Sequence, residues 1–342
     1  MKKLLAFVLA LSCLCATALM GCGGVSGPLP VVCGETGMND ICGVATYGVD
    51  YYSLGVKAGD MAADILINGA DVSTMAVQTD PNPALSVNTK VAEELGFTIP
   101  QAILDRADGG ATQKKTRETS VIVEDGADFT VGILQLVQHP ALDLSNEGFQ
   151  DQLSIRMKAA NKTVKIMDRN ASGEDSNNIT IAEVFANADV DLMYAIATSS
   201  AVAAAQAAEE KEIPVLFCAV TDPVGEELVA SMEAPGGHVS GVSDINPVAK
   251  QIELAGELVA KDAVKVGFLY STAETNSVYQ VELGKAACEA LGYTYEVRGI
   301  SDINDLEAAV LALKNAGVDV IYIPTDNALA NGAANVHTVN KG

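Results

Sequence analysis

The chain contains no tryptophan, and aromatic residues make up only 5% of its 342 positions. A sugar site built on large stacking rings is disfavoured on that ground. The three histidines, His139, His238 and His337, are too widely spaced to suggest a zinc site, and no CxxC or Cys/His pair does so either. Basic residues are scarce: 21 Lys and Arg against 44 Asp and Glu leave a net charge of -23. Such a surface repels phosphate backbones, so no nucleic acid is expected as a partner. GxGxxG, Walker A, GxSxG and HExxH motifs are all missing. The sequence therefore asks for no cofactor, no metal and no catalytic activity.

What is present begins with length enough for two ordinary domains and an apolar content of 49%, which fits a globular core. Lys2 and Lys3 precede the apolar run "LLAFVLALSCLCATALM", and "LMGC" at 19–22 resembles a bacterial lipobox. The expectation is a lipoprotein signal peptide over 1–21, lipidation of Cys22 and a tether over 22–28, which anchors the protein to the cell membrane on its extracytoplasmic side. An uncleaved signal anchor is the alternative, since about 17 apolar residues lie at the lower edge of what spans a bilayer. Of the remaining cysteines, Cys33 and Cys42 are placed to bridge, with buried free thiols the preferred state.

From 129 onward, strand-like and helix-like segments alternate. "TVGILQL", "TVKIMDR", "VDLMYAIA" and "IPVLFCAV" read as strands, each followed by a helix, the last of these being "PVGEELVASME". A second set has strands "KVGFLY", "TYEVRGI" and "VDVIYIP", closing with "NALANGAANVHTVNKG" as a single helix. Such alternation specifies α/β architecture with two doubly wound parallel-sheet lobes joined by a hinge. The first lobe is expected over 129–244 and the second over 245–342.

Ligands of such sheets bind outside the carboxyl ends of the strands. Five loops there carry Ser, Thr, Asn or Asp where a helix begins, a pattern that plain N-capping also explains. They supply Gln138 and His139; Thr198, Ser199 and Ser200; Thr221 and Asp222; Ser271, Glu274, Asn276 and Ser277; and Thr325, Asp326 and Asn327. The free N-H groups and hydroxyls at Thr198 to Ser200 suit a carboxylate. Asp222, Glu274 or Asp326 suits an ammonium group, with Asp326 preferred. Opposite charges on opposite lobes would hold a zwitterionic small molecule between them.

Several segments together, "GILQLVQHPALD", "AVTDPVG", "YSTAETNS", "IPTDN", "GETGM" and "TYGVDYYSLG", resemble the substrate-binding proteins of bacterial ABC transporters of the tryptophan/tyrosine type, which have a type I periplasmic binding protein fold. The resemblance implies a non-enzymatic, monomeric receptor that captures an aromatic amino acid and hands it to ABC permease subunits. It adds Glu35, Tyr47 and Asp50 to the ligand-binding candidates. A sensory lipoprotein, or a surface enzyme using Asp222 or Glu274, is the alternative.

The order of segments departs from that family, in which the part resembling 31–66 follows the "IYIPTDN" strand and its helix. The chain reads as circularly permuted, unless the order reflects an assembly error in the gene. Residues 29–43 then form a strand and loop of the second lobe, beside "VDVIYIP"; 44–76 return to the first lobe, with Tyr47, Asp50 and Tyr51 near the hinge. Residues 77–107 have no assigned lobe, and 108–128 form a flexible linker whose "SVIV" suggests a stray edge strand.

Overall fold

The computed structural model describes residues 27–107 and 113–342. The signal peptide, Cys22 and most of the 22–28 tether lie outside the described residues, as does 108–112 of the linker. No helix among the described residues is long and apolar enough to cross a membrane.

The strands are β1 (Val31–Cys33), β2 (Ala45–Gly48), β3 (Ala84–Val87), β4 (Phe129–Gln135), β5 (Val164–Asn170), β6 (Leu192–Ile196), β7 (Val215–Val220), β8 (Val239–Ser243), β9 (Lys265–Ser271), β10 (Thr294–Ile300) and β11 (Val320–Ile323). They form two sheets. The first, ordered β5-β4-β6-β7-β8, is wholly parallel. The second, ordered β10-β9-β11-β1-β2-β3, is parallel except where β3 runs against β2. In chain order the first sheet reads 2-1-3-4-5, a doubly wound arrangement. The parallel strands of the second sheet have that order only when β1 and β2 are counted after β11.

Both sheets are buried on two faces, as parallel sheets require. In the first lobe Val131, Ile133 and Tyr194 face one core, with helices 51–68 and 140–159, while Leu134, Met193 and Phe217 face another, with helices 175–187 and 198–208. In the second lobe, alternation along β1 sends Val31 and Cys33 to one face and Val32 to the other. All three are fully buried.

β1 pairs with β11, Val31 opposite Ile321 and Cys33 opposite Ile323. The C-terminal helix Ala333–Lys341 is clasped to the start of that strand. The buried Asn340 side chain accepts from Leu29 N (3.2 Å) and donates to Leu29 O (2.7 Å), and the Lys314 ammonium donates to Asn340 O (2.7 Å). One amide thus holds together the two parts of the chain that are most distant in sequence.

Helix Tyr51–Asn68 carries the chain back to the first lobe and lies against helix Pro140–Ala159. Their approach needs glycine. A Cβ on Gly55 would meet Ser145 O at 2.1 Å, and one on Gly148 would meet Tyr52 O at 2.2 Å.

Three segments cross between the lobes: 48–50 after β2, 79–83 between the Gln78 to Val242 bridge and β3, and 244–247 after β8. They are laced together, Val49 N donating to Asn246 Oδ1 (3.1 Å) and Asp50 N to Asp80 Oδ2 (3.3 Å). Residues 77–107, unassigned from sequence, therefore begin on the first sheet at Gln78 and end in the second lobe, where Leu85, Val91 and Ile103 enter the core.

Other expectations need correction. The helix expected at 223–233 is a series of turns, because the Asp222 carboxylate accepts from Gly225 N and Pro223 O accepts from Leu228 N, closing the chain before a helix can propagate. β8 follows instead, unforeseen. The last helix is two, Asn327–Asn331 and Ala333–Lys341, with the break at Gly332. The described part of the linker is docked on the first lobe: Arg117 pairs with the buried Asp151 (2.7 Å), Lys115 N donates to Tyr52 Oη, and Ile122 bridges Val164 on the edge strand β5.

Replacing Asn340 with Ala strips both partners from the Leu29 backbone at a buried site, and is expected to lower unfolding stability by about 1–3 kcal/mol. Denaturant titration of the variant against the parent measures it; an unchanged midpoint would show that the clasp contributes nothing.

Candidate functional site

Carboxyl ends of strands from both sheets converge on the space between the lobes, where two adjoining cavities lie. The inner one is small, about 10 Å³, and is lined by Glu35, Tyr51, His139, Asp244, Thr325 and Asp326 among others. The outer cleft measures about 820 Å³ and includes Val137, Ile179, Thr198, Ser199, Glu274 and Ile303 in its walls. Asn276 and Asn327 belong to both and form the partition.

Each inner carboxylate is placed by a local backbone device. Glu35 follows β1 and caps the short helix Thr36–Asn39, accepting from Gly37 N and Met38 N. Burial pushes its carboxyl up to about 7 against the pull of those two donors. Asp326 follows β11 and caps helix Asn327–Asn331, accepting from Leu329 N (2.9 Å), Ser271 N (2.6 Å) and Ser277 Oγ (2.9 Å). Burial, reinforced by the nearby Glu274, raises it to about 7 as well. Asp244 follows β8 and accepts from Tyr51 Oη (2.7 Å) and Thr221 Oγ1 (3.0 Å); burial raises it too. Three carboxyl groups, each at most 3% exposed, face one cavity the size of a water molecule.

The lobes touch here. His139 Nε2 lies 3.2 Å from Asn327 Oδ1, and Gln280 Nε2 donates to Thr221 Oγ1 (3.4 Å) and to Thr325 Oγ1. Asn327 Nδ2 is committed to Glu274 Oε2 (2.7 Å), so Oδ1 faces the imidazole and Nε2 carries its proton. Burial lowers the basicity of His139, which is neutral. Its Nδ1 is a buried acceptor without a partner among the described residues.

Of the residues expected from sequence, Glu35, His139, Asn276, Thr325, Asp326 and Asn327 line the inner cavity, while Thr198, Ser199, Ser271, Glu274, Asn276 and Asn327 line the outer cleft. Thr221 and Ser277 stand behind them, orienting Asp244 and Asp326. The rest lie elsewhere. Gln138 points to solvent. Ser200 is buried in its helix and donates to Asn178 Oδ1 (2.8 Å). Asp222 holds its own turn through Gly225. Tyr47 packs on the second-lobe core, and Asp50 caps helix Tyr51–Asn68 through Tyr52 N and Ser53 N. Core packing accounts for Tyr47 and capping for Asp50. Asp244 and Gln280 were missed, although Asp244 satisfies the same rule, an acid just past the carboxyl end of a strand.

Two alanines at this face adopt left-handed backbone: Ala197 (φ 85°), ending β6, and Ala219 (φ 57°), near the end of β7. Such conformations cost of order 1–3 kcal/mol for a residue with a Cβ. Among the described residues no group of three or more His, Cys, Asp or Glu is arranged to hold a metal ion. Cys33 and Cys42 are free, their sulfurs 3.9 Å apart.

The sequence pattern of the ABC transporter substrate binding proteins matches residues 18–110 and 130–341. The chain belongs to that family. As one of these substrate-binding proteins, it is 39% identical over 201 residues to the tyrosine-binding protein of Clostridioides difficile (strain R20291), an overlap of 59% of this chain and 57% of that protein. It thus spans little more than half the length of that curated relative. The ABC domain of Streptococcus pneumonia, solved in complex with L-Trp, is 35% identical, with a TM-score of 0.54, over 62% of this chain and 70% of that one. A conserved domain protein of Vibrio cholerae is 32% identical, with a TM-score of 0.55, over 61% and 71%. The architecture is that of type I periplasmic binding proteins.

Two outcomes follow for the unliganded protein. A carboxyl raised on folding stabilises the native state while protonated, so the Glu35 contribution is full below its ordinary value of 4.5 and is lost as the pH rises through about 7. Thermal melts between pH 4.5 and 8 are expected to show that decline, and Glu35→Gln to flatten it; equal slopes would contradict the burial argument. Replacing Ala197 with Gly relieves the left-handed strain and is expected to stabilise the protein by about 1 kcal/mol after the entropy cost of glycine, read as a higher melting temperature.

Proposed function

We propose that this substrate-binding protein captures an aromatic amino acid between its lobes and presents it to the permease of an ABC importer. The observation that carries the reading is the inner cavity, where Glu35 and Asp326 from the second lobe meet Asp244 from the first. A primary ammonium matches a water-sized space bordered by carboxylates and a lone acceptor nitrogen. Because the acids come from both lobes, an ammonium between them draws the lobes together. The side chain of the ligand then occupies the outer cleft, whose volume is ample for an aromatic ring and whose walls include Val137, Ile179, Val202 and Ile303. The N-terminus of helix Thr198–Ala208, at the cleft wall, offers the α-carboxylate its free N-H groups. The tyrosine and tryptophan named for the relatives support the aromatic choice.

The wider setting belongs to the same proposal. The lipobox at Cys22 supports a lipid anchor outside the cytoplasm, and the family supports permease subunits as partners and a binding role without catalysis. Against the surface-enzyme alternative stand the hydrogen bonds that Glu274 accepts from Asn327 N and Ala328 N, and the position of Asp222 outside the lining of both cavities. A rotated gene order is supported by the strand order of the second sheet and by the Asn340 clasp, which brings the C-terminal helix to the start of β1.

A thermal melt of the purified mature protein with tryptophan, tyrosine and phenylalanine, beside the other amino acids and several sugars, tests this. The cognate ligand at a hundredfold excess over its dissociation constant adds about 2.7 kcal/mol. A shift with aromatic amino acids alone is the expected result, whereas a cooperative melt unmoved by any of them would overturn the ligand class. Asp244→Asn is expected to weaken the binding about tenfold or more by removing a charge from a buried charge-assisted contact, measured by isothermal titration.

A further inference from the structure

The charge of the cleft is one-sided. Its outer walls add Glu174, Asp175, Glu226, Glu274 and Asp302 to the three inner acids. No Lys or Arg among the described residues lines either cavity. The one imidazole, His139, is buried and neutral. Its Nε2 donates to Asn327, and its Nδ1 is a buried acceptor with no partner among the described residues, on a residue that lines the inner cavity. Negative charge from both lobes thus faces the position assigned to the ammonium, with Leu142, Ala219 and Ala330 completing its wall.

An α-carboxylate is carried by the same carbon as the ammonium, so it cannot leave this neighbourhood. The compensation at hand is uncharged: the N-terminus of helix Thr198–Ala208 with the Thr198 and Ser199 hydroxyls, Ser200 being already committed to Asn178, and neutral side chains of the outer cleft such as Thr275 and Asn335. These neutral donors act against eight acidic side chains, of which the three at the inner cavity are buried and poorly screened by water. The ammonium gains from this field and the carboxylate loses.

We infer that the site is selective for the ammonium alone, and that aromatic primary amines, the decarboxylated counterparts of aromatic amino acids, bind at least as tightly as the amino acids themselves. This rests on the proposed function, since it takes the same cavity as the ammonium site. It assigns a wider substrate class: organic cations with one ammonium and an apolar ring.

Isothermal titration of the mature protein at pH 8 with tyramine, tyrosine and 3-(4-hydroxyphenyl)propionate, and with the matching indole series of tryptamine, tryptophan and 3-(indol-3-yl)propionate, decides it. In the series that binds, the amine is expected to have a dissociation constant equal to or below that of the amino acid, and the deaminated acid to show no heat of binding. Glu35→Gln, folded by its circular dichroism, is expected to weaken the amine about tenfold. An amine measurably weaker than its amino acid would overturn the inference and leave the proposed function standing, with the carboxylate as a true anchor. Silence from amines and amino acids alike would overturn both. Unchanged amine affinity in Glu35→Gln would remove the acid cavity as its cause.

Discussion

The second lobe depends on one backbone pairing, that of β1 between β11 and β2. Val31, Val32 and Cys33 are fully buried, so their peptide groups have no water to fall back on and must find both neighbours. Were β1 absent, β11 would become an edge, with Ile321, Tyr322 and Ile323 losing cover on either face. The pairing also delivers function, since the loop leaving β1 carries Glu35 directly to the cleft. The partners stand near opposite ends of the chain, so the sheet cannot be completed until almost the whole chain is available, a non-local contact of the kind that slows folding.

The cleft inverts the usual treatment of charge. Elsewhere buried or half-buried carboxylates find cations, as Asp151 does in Arg117 and Asp60 and Asp64 do in Arg156. Between the lobes, acids are buried with backbone N-H groups and hydroxyls as their partners, and no Lys or Arg among the described residues lines their cavity. Burying an ionised carboxylate without a counter-charge is costly, and the upward shifts of Glu35, Asp244 and Asp326 express that cost. A protein can keep such a site where a cation arriving from solution relieves it. The strained Ala197 and Ala219 lie on the same face, so both electrostatic and conformational strain collect where the lobes meet.

Much of the architecture was legible because strand and helix periodicities differ. The strand segments "TVGILQL", "KVGFLY" and "TYEVRGI" match β4, β9 and β10 to within a residue or so. Failures came where short-range chemistry outweighed periodicity. "PVGEELVASME" has helical spacing, but the Asp222 to Gly225 turn pre-empts it. The linker's polarity suggested a free chain, yet Arg117 and Ile122 had partners on helix 140–159 and β5 that no local pattern reveals. Of the residues singled out just past strand ends, most line the two cavities, whereas Tyr47 and Asp50, taken from resemblance, serve in core and cap.

The sequence by itself determined the fold class, the two parallel sheets, and the strand-end loops where polar side chains would gather, because these follow from local hydrophobic period and from the geometry of doubly wound sheets. Tertiary structure alone decided which of those side chains share a cavity. Whether an Asp caps its own turn, as Asp222 does, or faces a ligand space, as Asp244 does, turns on the placement of elements far apart in the chain. Burial, which shifts the carboxyls and leaves His139 with a lone acceptor, arises only when two lobes close over the same few ångströms.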